Sequence, residues 1–445
     1  MPFLSVINCH PEQHTMKSFI LFLFVIINTV ATAQQNNYLY RCNEKLVDII
    51  MEDLFTPPVA SRVSVYPNIA AYEVLALGHP ELQSLSGQIK HLPALKCDNP
   101  NINFSIAAEF AFTTVARKLV FTEHMVNEFE AEEKKIWSSS TNDEALIQSS
   151  IEFGKKAGMQ IIDWMMKDNY VTVKTLQRYE LKDGDDKWRP TAPEYTNAIE
   201  PNWALMRPLV MDSSSQVPPL PPVPYSEKKN SEFHKIAMDV YKTRNTLDTS
   251  QRTIASFWDC NPNISFSKGH ITVFVHKISP GGHWIKIAGQ ACKNLGLDEL
   301  KTAEVYTLLT AGLYDGFLSC WAAKYMLNTI RPETYIQRVI DPKFQPYIQT
   351  PPFPEYPSGH SVISSTSATI LTQLIPQPYA FTDSAEIYIN LPSRSFNSFE
   401  EAATEAALSR FYGGIHFMPA LNNGLLQGEA IGNLVLQRLQ TRKKQ

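Results

Sequence analysis

The stretch DELKTAEVYTLLTAGLYDGFLSCWAAKYMLNTIRP, residues 298–332, decides the fold class of this chain. Apolar residues recur through it at helical spacing, which predicts one long helix or two broken ones over residues 298–331. Strand patterns are few, and the clearest runs from Ile271 to Val275. The chain is therefore predicted to be all-α, built of helical bundles. Further helices are predicted over residues 105–136, 144–167, 361–375, 400–412 and 424–441.

A proline-rich tract, VPPLPPVP at residues 217–224, divides the predicted helices into two groups. Proline removes a backbone donor and fixes φ, so this tract favours an extended path over a helix or a central strand. We expect a linker over residues 216–230. It separates an N-terminal helical region, 34–215, from a C-terminal helical bundle, 231–445.

The first 33 residues resemble a secretory signal peptide. Met16-Lys17 precedes an apolar run from Phe19 to Val30, and the small residues Ala31-Thr32-Ala33 follow as a cleavage site. An N-terminal anchor is the alternative. No later stretch reaches the roughly 18 uninterrupted apolar residues of a membrane span. The mature chain is expected to lack a transmembrane segment and to be exported, to the periplasm or the extracellular space.

Composition narrows the class of partner. The chain has 445 residues, 44% of them hydrophobic, and a formal net charge of −4. It can bury a sizeable core, and it has no global basic field, so nucleic acid is not an expected partner.

Cysteine spacing does not indicate a zinc site, and two histidines of a loose group near residues 270–283 could line a pocket or be structural. Six cysteines occur, and the five beyond Ala33 have the wide, irregular spacing that is not typical of zinc ligands. Export permits disulfides, although an odd count leaves at least one thiol unpaired within the chain. His270, His276 and His283 form a loose group near a Gly-Gly pair, where structural histidines are the simpler interpretation.

Lys324 and Arg331 form the first element of a predicted anion site. Seven helical positions separate them, which places both side chains on one face about 10 Å apart. Pro332 disfavours helical geometry at Arg331, so Arg331 is expected at the helix end. A guanidinium fork and an ammonium together suit an oxyanion. The alternative is a pair of solvated or core-edge charges.

The second element is Pro357-Ser358-Gly359-His360, which leads into a predicted helix. Gly359 allows close backbone approach to a ligand, and a helix start presents free N–H groups to an anion. The Ser358 hydroxyl can donate to the anion, and His360 can pass a proton near neutral pH. The alternative is a helix cap with His360 uninvolved.

The third element is Ser409-Arg410, followed by Gly413-Gly414 and His416. Six helical positions would separate Arg410 and His416 onto different faces, but the glycine pair lets the chain turn so that both converge. Arg410 would be a further guanidinium on the anion. A neutral His416 could attack phosphorus or coordinate a metal-oxide centre. A buried structural histidine is the alternative.

Together the three elements resemble the signature shared by vanadium-dependent haloperoxidases and type-2 phosphatidic acid phosphatases. The resemblance implies an oxyanion pocket in the C-terminal bundle, and it covers residues 324–416. His416 would be the vanadium ligand in a haloperoxidase or the nucleophile in a phosphatase, and His360 the acid–base group. The resemblance implies that the oxyanion is bound by Lys324, Arg331, Ser358, Gly359 and Arg410.

Two aromatic residues favour the haloperoxidase branch. Vanadium chloroperoxidases are similar in carrying aromatic residues at the positions of Trp321 and Phe353, which would form a halide pocket; core packing is the alternative. This branch implies a vanadate cofactor, with hydrogen peroxide and a halide or organic molecule as substrates. Lys324 would be catalytic by polarising the peroxide.

Two further functions stay open at this point. One is an acid phosphatase that hydrolyses phosphomonoesters, lipid phosphates or pyrophosphates through a phospho-histidine, without vanadate. The other is an exported protein that binds an oxyanion without turnover. Ala420 stands where the family usually carries an aspartate that orients the histidine, which weighs against efficient phosphatase turnover. Glu405 is a candidate to hold Arg410 or His416 instead.

Overall fold

The computed structural model describes residues 37–262, 264–268 and 270–443, and helices dominate them. The all-α class is confirmed. The predicted signal peptide, residues 1–33, lies outside the described residues. The described α-helices are α1 (Tyr38–Glu52), α2 (Pro57–Gly78), α3 (Phe104–Leu119), α4 (Glu123–Ser140), α5 (Glu144–Met165), α6 (Tyr170–Thr175), α7 (Glu232–Asn245), α8 (Thr249–Phe257), α9 (Pro280–Asn294), α10 (Glu299–Leu327), α11 (Pro332–Val339), α12 (Gly359–Leu374), α13 (Phe399–Tyr412) and α14 (Met418–Arg438).

The strands of the described chain form two small antiparallel hairpins. Strand β1 (Ser265–Lys268) pairs with β2 (Ile271–Phe274), so the strand predicted over 271–275 is present. Strand β3 (Phe381–Asp383) pairs with β4 (Arg394–Phe396). The second hairpin buries Phe381 and Phe396 in the hydrophobic core, against Phe399 and Trp258.

The stretch 298–332 folds as two helices. Asp298 caps the start of α10 by accepting the Lys301 N–H, and Asn328 ends it in the left-handed conformation at φ 53°. Arg331 is extended, as expected before a proline, and precedes α11. The prediction that Arg331 ends the same helix as Lys324 is therefore wrong, because the long helix stops four residues earlier.

Helix α10 is the common wall of two groups of helices. It packs against α2 on one side, and α2 in turn packs against α3 and α5. On the other side it packs against α12, which lies against α13 and α14. Residues from both groups, such as Tyr66, Leu313 and Ile431, belong to one hydrophobic cluster. The burial of α10 on nearly every face explains its apolar sequence.

The proline-rich tract packs against the helices of the C-terminal part. The carbonyl oxygen of Val217 accepts from Ser319 Oγ on α10 and from Gln427 Nε2 on α14, each at 2.8 Å. The Tyr356 hydroxyl donates to the carbonyl oxygen of Leu220. The division of the chain at residues 216–230 stays a prediction.

Several helix boundaries differ from the predicted ones. Residues 105–136 are split between α3 and α4, with the break at residues 120–122. The last helix begins at Met418, six residues before the predicted start, so it opens just after His416. Within the described residues, no helix has the length and apolar character needed to cross a membrane.

Candidate functional site

His360, Arg410 and His416 line one cavity near the C-terminal end of α10, and Lys324 lies next to it, against the rings of Trp321 and Phe353. The cavity is also lined by Trp321, Phe353 and Gly359, among others. Its volume, about 30 Å³, exceeds the roughly 10–15 Å³ that one water needs. The cavity therefore has room for a small ion.

Lys324 is buried in the last turn of α10 and points into a ring of carbonyl groups. Its Nζ donates to the carbonyl oxygens of Pro354 at 3.0 Å, Glu355 at 2.9 Å and Pro357 at 2.5 Å. Burial lowers the pKa of Lys324 to about 7, whereas the three carbonyl acceptors favour its ammonium form. Lys324 thus holds the loop that precedes Ser358 and adds a positive charge to the pocket.

Arg331 reaches the same pocket from the start of α11. Its Nε donates to the Phe353 carbonyl oxygen at 3.0 Å, and its Nη1 donates to the Ile415 carbonyl oxygen at 2.9 Å. The Nη2 atom is buried and has no hydrogen-bond partner. Burial lowers the pKa of Arg331 to about 10, so the guanidinium stays charged at neutral pH.

Arg410 lies in the last turn of α13, opposite Arg331. Its Nη1 donates to the Trp258 carbonyl oxygen at 3.1 Å and to His360 Nε2 at 2.9 Å. Its Nε and Nη2 atoms are buried without a hydrogen-bond partner, and the nearest carboxylate oxygen, Asp259 Oδ1, is 3.7 Å from Nη2. Burial lowers the pKa of Arg410, and Asp259 opposes that shift.

The unpaired guanidinium donors suit an anion. A buried charged donor without an acceptor is costly, and an oxyanion supplies several acceptor oxygens at once. Three cations, Lys324, Arg331 and Arg410, face the carboxyl groups of Glu355 and Asp259, which leaves the pocket net positive. These residues therefore fit a tetrahedral oxyanion such as vanadate or phosphate.

His416 is held as a neutral imidazole with a defined tautomer. Its Nε2 lies 3.1 Å from Arg331 Nη1, which can only donate, so Nε2 is the unprotonated atom. Its Nδ1 lies 2.8 Å from Glu355 Oε1 and donates to that carboxylate. Burial, together with the charge of Arg331, lowers the pKa of His416 well below its usual value. Its Nε2 lone pair accepts from Arg331, and it would be available to a metal-oxide centre once that donor turns away.

Glu355 is a site residue that the sequence analysis missed. Its Oε1 also accepts the Phe417 N–H at 3.1 Å, so it anchors both the ring and the backbone of the His416 segment. Burial raises the pKa of Glu355 to about 7, against the opposing charges of Arg331 and Lys324. The available signal was the single acidic residue in the proline-rich loop PPFPEYPSGH, residues 351–360.

Glu405 does not take the role proposed for it. Its carboxylate accepts from Arg394 Nε at 2.6 Å and from Trp258 Nε1 at 3.0 Å, so it is engaged away from His416. The hypothesis that Glu405 holds Arg410 or His416 directly is wrong. Ala420, at the position of the expected aspartate, contributes its carbonyl oxygen, which accepts the Ser358 N–H at 3.1 Å.

Ser358, Gly359 and His360 open α12 at the base of the cavity. The Ser358 hydroxyl oxygen accepts the Ser361 N–H at 3.3 Å as the helix cap, and its own proton stays available to an anion. A Cβ at Gly359 would lie 3.6 Å from Trp321 and 3.9 Å from Lys324, at ordinary contact distances. Burial and the charge of Arg410 lower the pKa of His360 well below its usual value, so this ring is neutral.

Trp321 and Phe353 form the apolar wall of the cavity. Their ring centroids are 5.0 Å apart, and Lys324 Nζ lies 5.1 Å from the centroid of Phe353. The indole N–H of Trp321 donates to the Ile199 carbonyl oxygen at 3.2 Å, which ties this wall to the N-terminal region. Both rings pack in the core and also line the cavity.

Comparison with solved structures identifies the family. The chain matches the crystal structure of a bacterial vanadium-dependent iodoperoxidase with 38% identity and a TM-score of 0.86, over 91% of this chain and 96% of that one. The chain belongs to the vanadium haloperoxidase family. Its haloperoxidase-like function and its enzymatic character follow from this relationship, and the resemblance inferred from residues 324–416 is confirmed.

Other comparisons agree with a haloperoxidase fold. The holo and apo structures of a bacterial vanadium-dependent chloroperoxidase share the fold at 15% identity, with TM-scores of 0.64 and 0.63. They cover 87% and 86% of this chain and 93% and 94% of theirs. The family model for the VCPO second helical-bundle domain matches residues 304–444. No curated protein matches the sequence.

The three histidines that the sequence analysis interpreted as structural lie away from the cavity in this haloperoxidase. His270 and His276 lie at or beside the first hairpin, and His276 Nδ1 is 3.2 Å from the Met51 carbonyl oxygen. His283 is fully buried on α9, stacked on Trp258 at a centroid distance of 4.6 Å. None of them is among the residues that line the cavity.

Proposed function

We propose that this haloperoxidase uses vanadate, held at His416 Nε2, to oxidise iodide with hydrogen peroxide. The observation that carries the proposal is the neutral His416 ring, whose Nε2 faces a pocket with unpaired donors on Arg331 and Arg410. Iodide is proposed because the relative that shares 38% identity is a vanadium-dependent iodoperoxidase.

The residues that would hold vanadate divide into charged and neutral donors. The vanadate oxygens would be bound by Lys324, Arg331, Ser358, Gly359 and Arg410. Lys324 would have to release one of its three carbonyl acceptors to donate to vanadate. When bound, vanadate supplies the electrophilic centre at which hydrogen peroxide becomes reactive toward a halide. Arg331 Nη1 now donates to His416 Nε2, so it must turn toward the anion to free that lone pair. The cations then stabilise negative charge in a pocket with little water.

His360 is proposed as the proton carrier of the reaction. Its ring is neutral, and its Nε2 accepts from Arg410 Nη1. An anion that engages Arg410 would release this nitrogen, which could then take a proton from incoming hydrogen peroxide. The same proton would be returned to a departing oxygen later in the cycle.

The wall formed by Trp321 and Phe353 is proposed as the halide pocket. Iodide is the largest and least strongly hydrated of the common halides. It therefore loses the least hydration free energy when aromatic rings replace its water shell. Phe353 also lies 5.0 Å from the guanidinium carbon of Arg331, which leaves positive charge within reach of an anion against the ring. The wall therefore favours iodide over chloride.

Phosphate-ester hydrolysis is the second candidate for the same pocket. The absent aspartate at Ala420 argued against it, but Glu355 orients His416 from another segment. A carboxylate-oriented imidazole is the group that would attack phosphorus and form a phospho-histidine. This observation keeps an acid phosphatase activity of the vanadate-free protein as an alternative.

Paired assays separate the two activities. The apoprotein is reconstituted with orthovanadate, and triiodide formation from iodide and peroxide is followed beside bromide and chloride oxidation. The vanadate-free protein is tested for hydrolysis of a nitrophenyl phosphate. The proposal expects vanadate-dependent oxidation with the highest kcat/KM for iodide, reduced to background in His416→Ala.

His276→Ala is the matched control, because His276 is exposed and does not line the cavity. It should retain full iodide oxidation. Phosphate release without halide oxidation would replace the proposal by the phosphatase alternative. Silence in both assays would leave a protein that only binds the anion.

We also propose that the enzyme is exported. The support is the charged start, apolar run and small-residue site within residues 1–33. N-terminal sequencing of the protein recovered outside the cytoplasm should begin at Gln34. An intact start at Met1 or Met16 would refute cleavage.

A further inference from the structure

Cys260, His283 and Glu386 form a buried cluster next to Trp258. The Sγ atom of Cys260 is 3.2 Å from His283 Nδ1 and 3.7 Å from Glu386 Oε1. His283 Nδ1 and Glu386 Oε1 are 3.2 Å apart. All three side chains are buried, and their ligand atoms lie close enough together to hold one ion.

Asp383 sets the tautomer of His283. Its Oδ2 lies 2.7 Å from His283 Nε2, and its Oδ1 accepts the Ala385 N–H at 2.9 Å. Burial lowers the pKa of His283, but Asp383 and Cys260 raise it well above its usual value, so Nδ1 is also protonated in the metal-free ring. Loss of that proton leaves the Nδ1 lone pair directed toward Cys260 and Glu386. A carboxylate behind a histidine in this way is the usual support of a metal-ligating imidazole.

The distances among the three ligand atoms match a tetrahedral ion. Zinc bonds of about 2.3 Å to sulfur and about 2.0 Å to nitrogen or oxygen, at tetrahedral angles, place those atoms roughly 3.3–3.6 Å apart. The three distances in the cluster are 3.2, 3.2 and 3.7 Å. The ligands would therefore need to move by only a few tenths of an ångström to bind the ion.

We propose that Cys260, His283 and Glu386 bind one zinc-like divalent cation. A thiolate, an imidazole and a carboxylate together select zinc over magnesium or calcium, which prefer oxygen ligands. Binding releases two protons, one from the Cys260 thiol and one from His283 Nδ1, and His283 then binds through Nδ1 in its neutral form. Three protein ligands leave the fourth position of a tetrahedral ion for water.

The cluster adjoins the proposed oxyanion pocket. Cys260 also lines the cavity that contains His360 and His416. Trp258, two residues before Cys260, stacks on His283, and its carbonyl oxygen accepts a hydrogen bond from Arg410 Nη1. A bound ion would therefore hold the segment that positions Arg410, and we assign it this supporting role.

Cobalt binding tests the site without any use of enzymatic activity. Chelator-treated protein, free of vanadate and halide, is titrated with Co²⁺ and then with Zn²⁺, and retained zinc is counted by mass spectrometry. We expect a thiolate-to-cobalt charge-transfer band that saturates at one equivalent and disappears on addition of zinc. Because vanadate and peroxide are absent, the result is independent of the proposed function.

Cys260→Ser should abolish the charge-transfer band, and Cys292→Ser, the control at another buried free thiol, should leave it unchanged. Glu386→Gln keeps the side-chain volume and should weaken zinc affinity at least about tenfold. This variant tests the site even if Cys260→Ser does not fold. Absence of zinc at one equivalent, or an equal band in Cys260→Ser, would show an internal hydrogen-bonded cluster and overturn the proposal.

Discussion

Replacing Glu355 by glutamine should weaken vanadate binding without unfolding the protein. Glu355 Oε1 accepts from His416 Nδ1 at 2.8 Å and from the Phe417 N–H at 3.1 Å. Glutamine has the same shape, and its carbonyl oxygen can accept both bonds, but it lacks the negative charge. The substitution therefore removes the electrostatic support of the His416 ring and little of its packing.

The size of the effect follows from the loss of charge. A hydrogen bond to a charged acceptor stabilises by about 1.5–3 kcal/mol, against about 1 kcal/mol for a neutral one. The basicity of His416 Nε2 falls when its partner becomes neutral, and losing such a partner usually lowers metal affinity about 10–100-fold. We expect an increase in the vanadate Kd of that size, and a larger one for Glu355→Ala, which also leaves the Phe417 N–H unpaired.

Calorimetric titration of the apoprotein with orthovanadate measures this change directly. Glu73→Gln is the matched control, because Glu73 is also buried and accepts a backbone N–H, from Leu85 at 2.7 Å, but does not line the cavity. The control should bind vanadate as the wild type does. A Glu355→Gln variant with unchanged Kd, and a thermal midpoint equal to that of the control, would refute the assignment of Glu355 as the residue that orients His416.

Two further predictions concern the proposed anion site, at Gly359 and Lys324, and a third concerns the buried Asp315 on α10. Gly359→Ala should keep wild-type thermal stability, because the added Cβ would meet the protein at ordinary contact distances. It should lose at least about tenfold in vanadate affinity, because the Cβ would occupy space proposed for the anion. An unchanged calorimetric Kd would contradict this prediction. Burial lowers the pKa of Lys324 to about 7, so binding above pH 7 requires proton uptake, and affinity should fall with rising pH by up to about tenfold per unit. The pH dependence of vanadate affinity is measured in the wild type and in Lys324→Met, and the difference between the two slopes is the contribution of Lys324. Equal slopes would show that protonation of Lys324 does not contribute. Asp315→Asn should lower the free energy of unfolding by about 2–3 kcal/mol in urea titrations. The Asp315 carboxylate accepts the backbone N–H groups of residues 209–211, and at least one of them would lose its acceptor to the amide. A change below about 0.5 kcal/mol would show that the loop adjusts.

The helices and the three segments proposed to bind the anion could be predicted because local sequence determines them. Apolar spacing indicated α10 and α12, and a small cap residue followed by glycine marked the start of α12 at Ser358 and Gly359. Gly414, at φ 78°, makes the turn that returns the chain from α13 toward His416. Such features depend on neighbours within a few residues, so the residue types and their spacing carry the information.

The pairing of side chains within the site was decided by packing between distant segments. Lys324 and Arg331 share no helix, and the loop at residues 353–357 brings them together by accepting hydrogen bonds from both. The carboxylate on His416 comes from Glu355, 61 positions away, and not from a residue near Ala420.

The Cys260, His283 and Glu386 cluster shows the same limit more strongly. Its members lie on three segments separated by 23 and 103 residues, and Asp383 supports His283 from the second hairpin. No spacing rule for cysteine or histidine connects them, so the sequence indicated residue types alone. The tertiary structure decided which of these residues meet, because burial against α9 and Trp258 sets their distances.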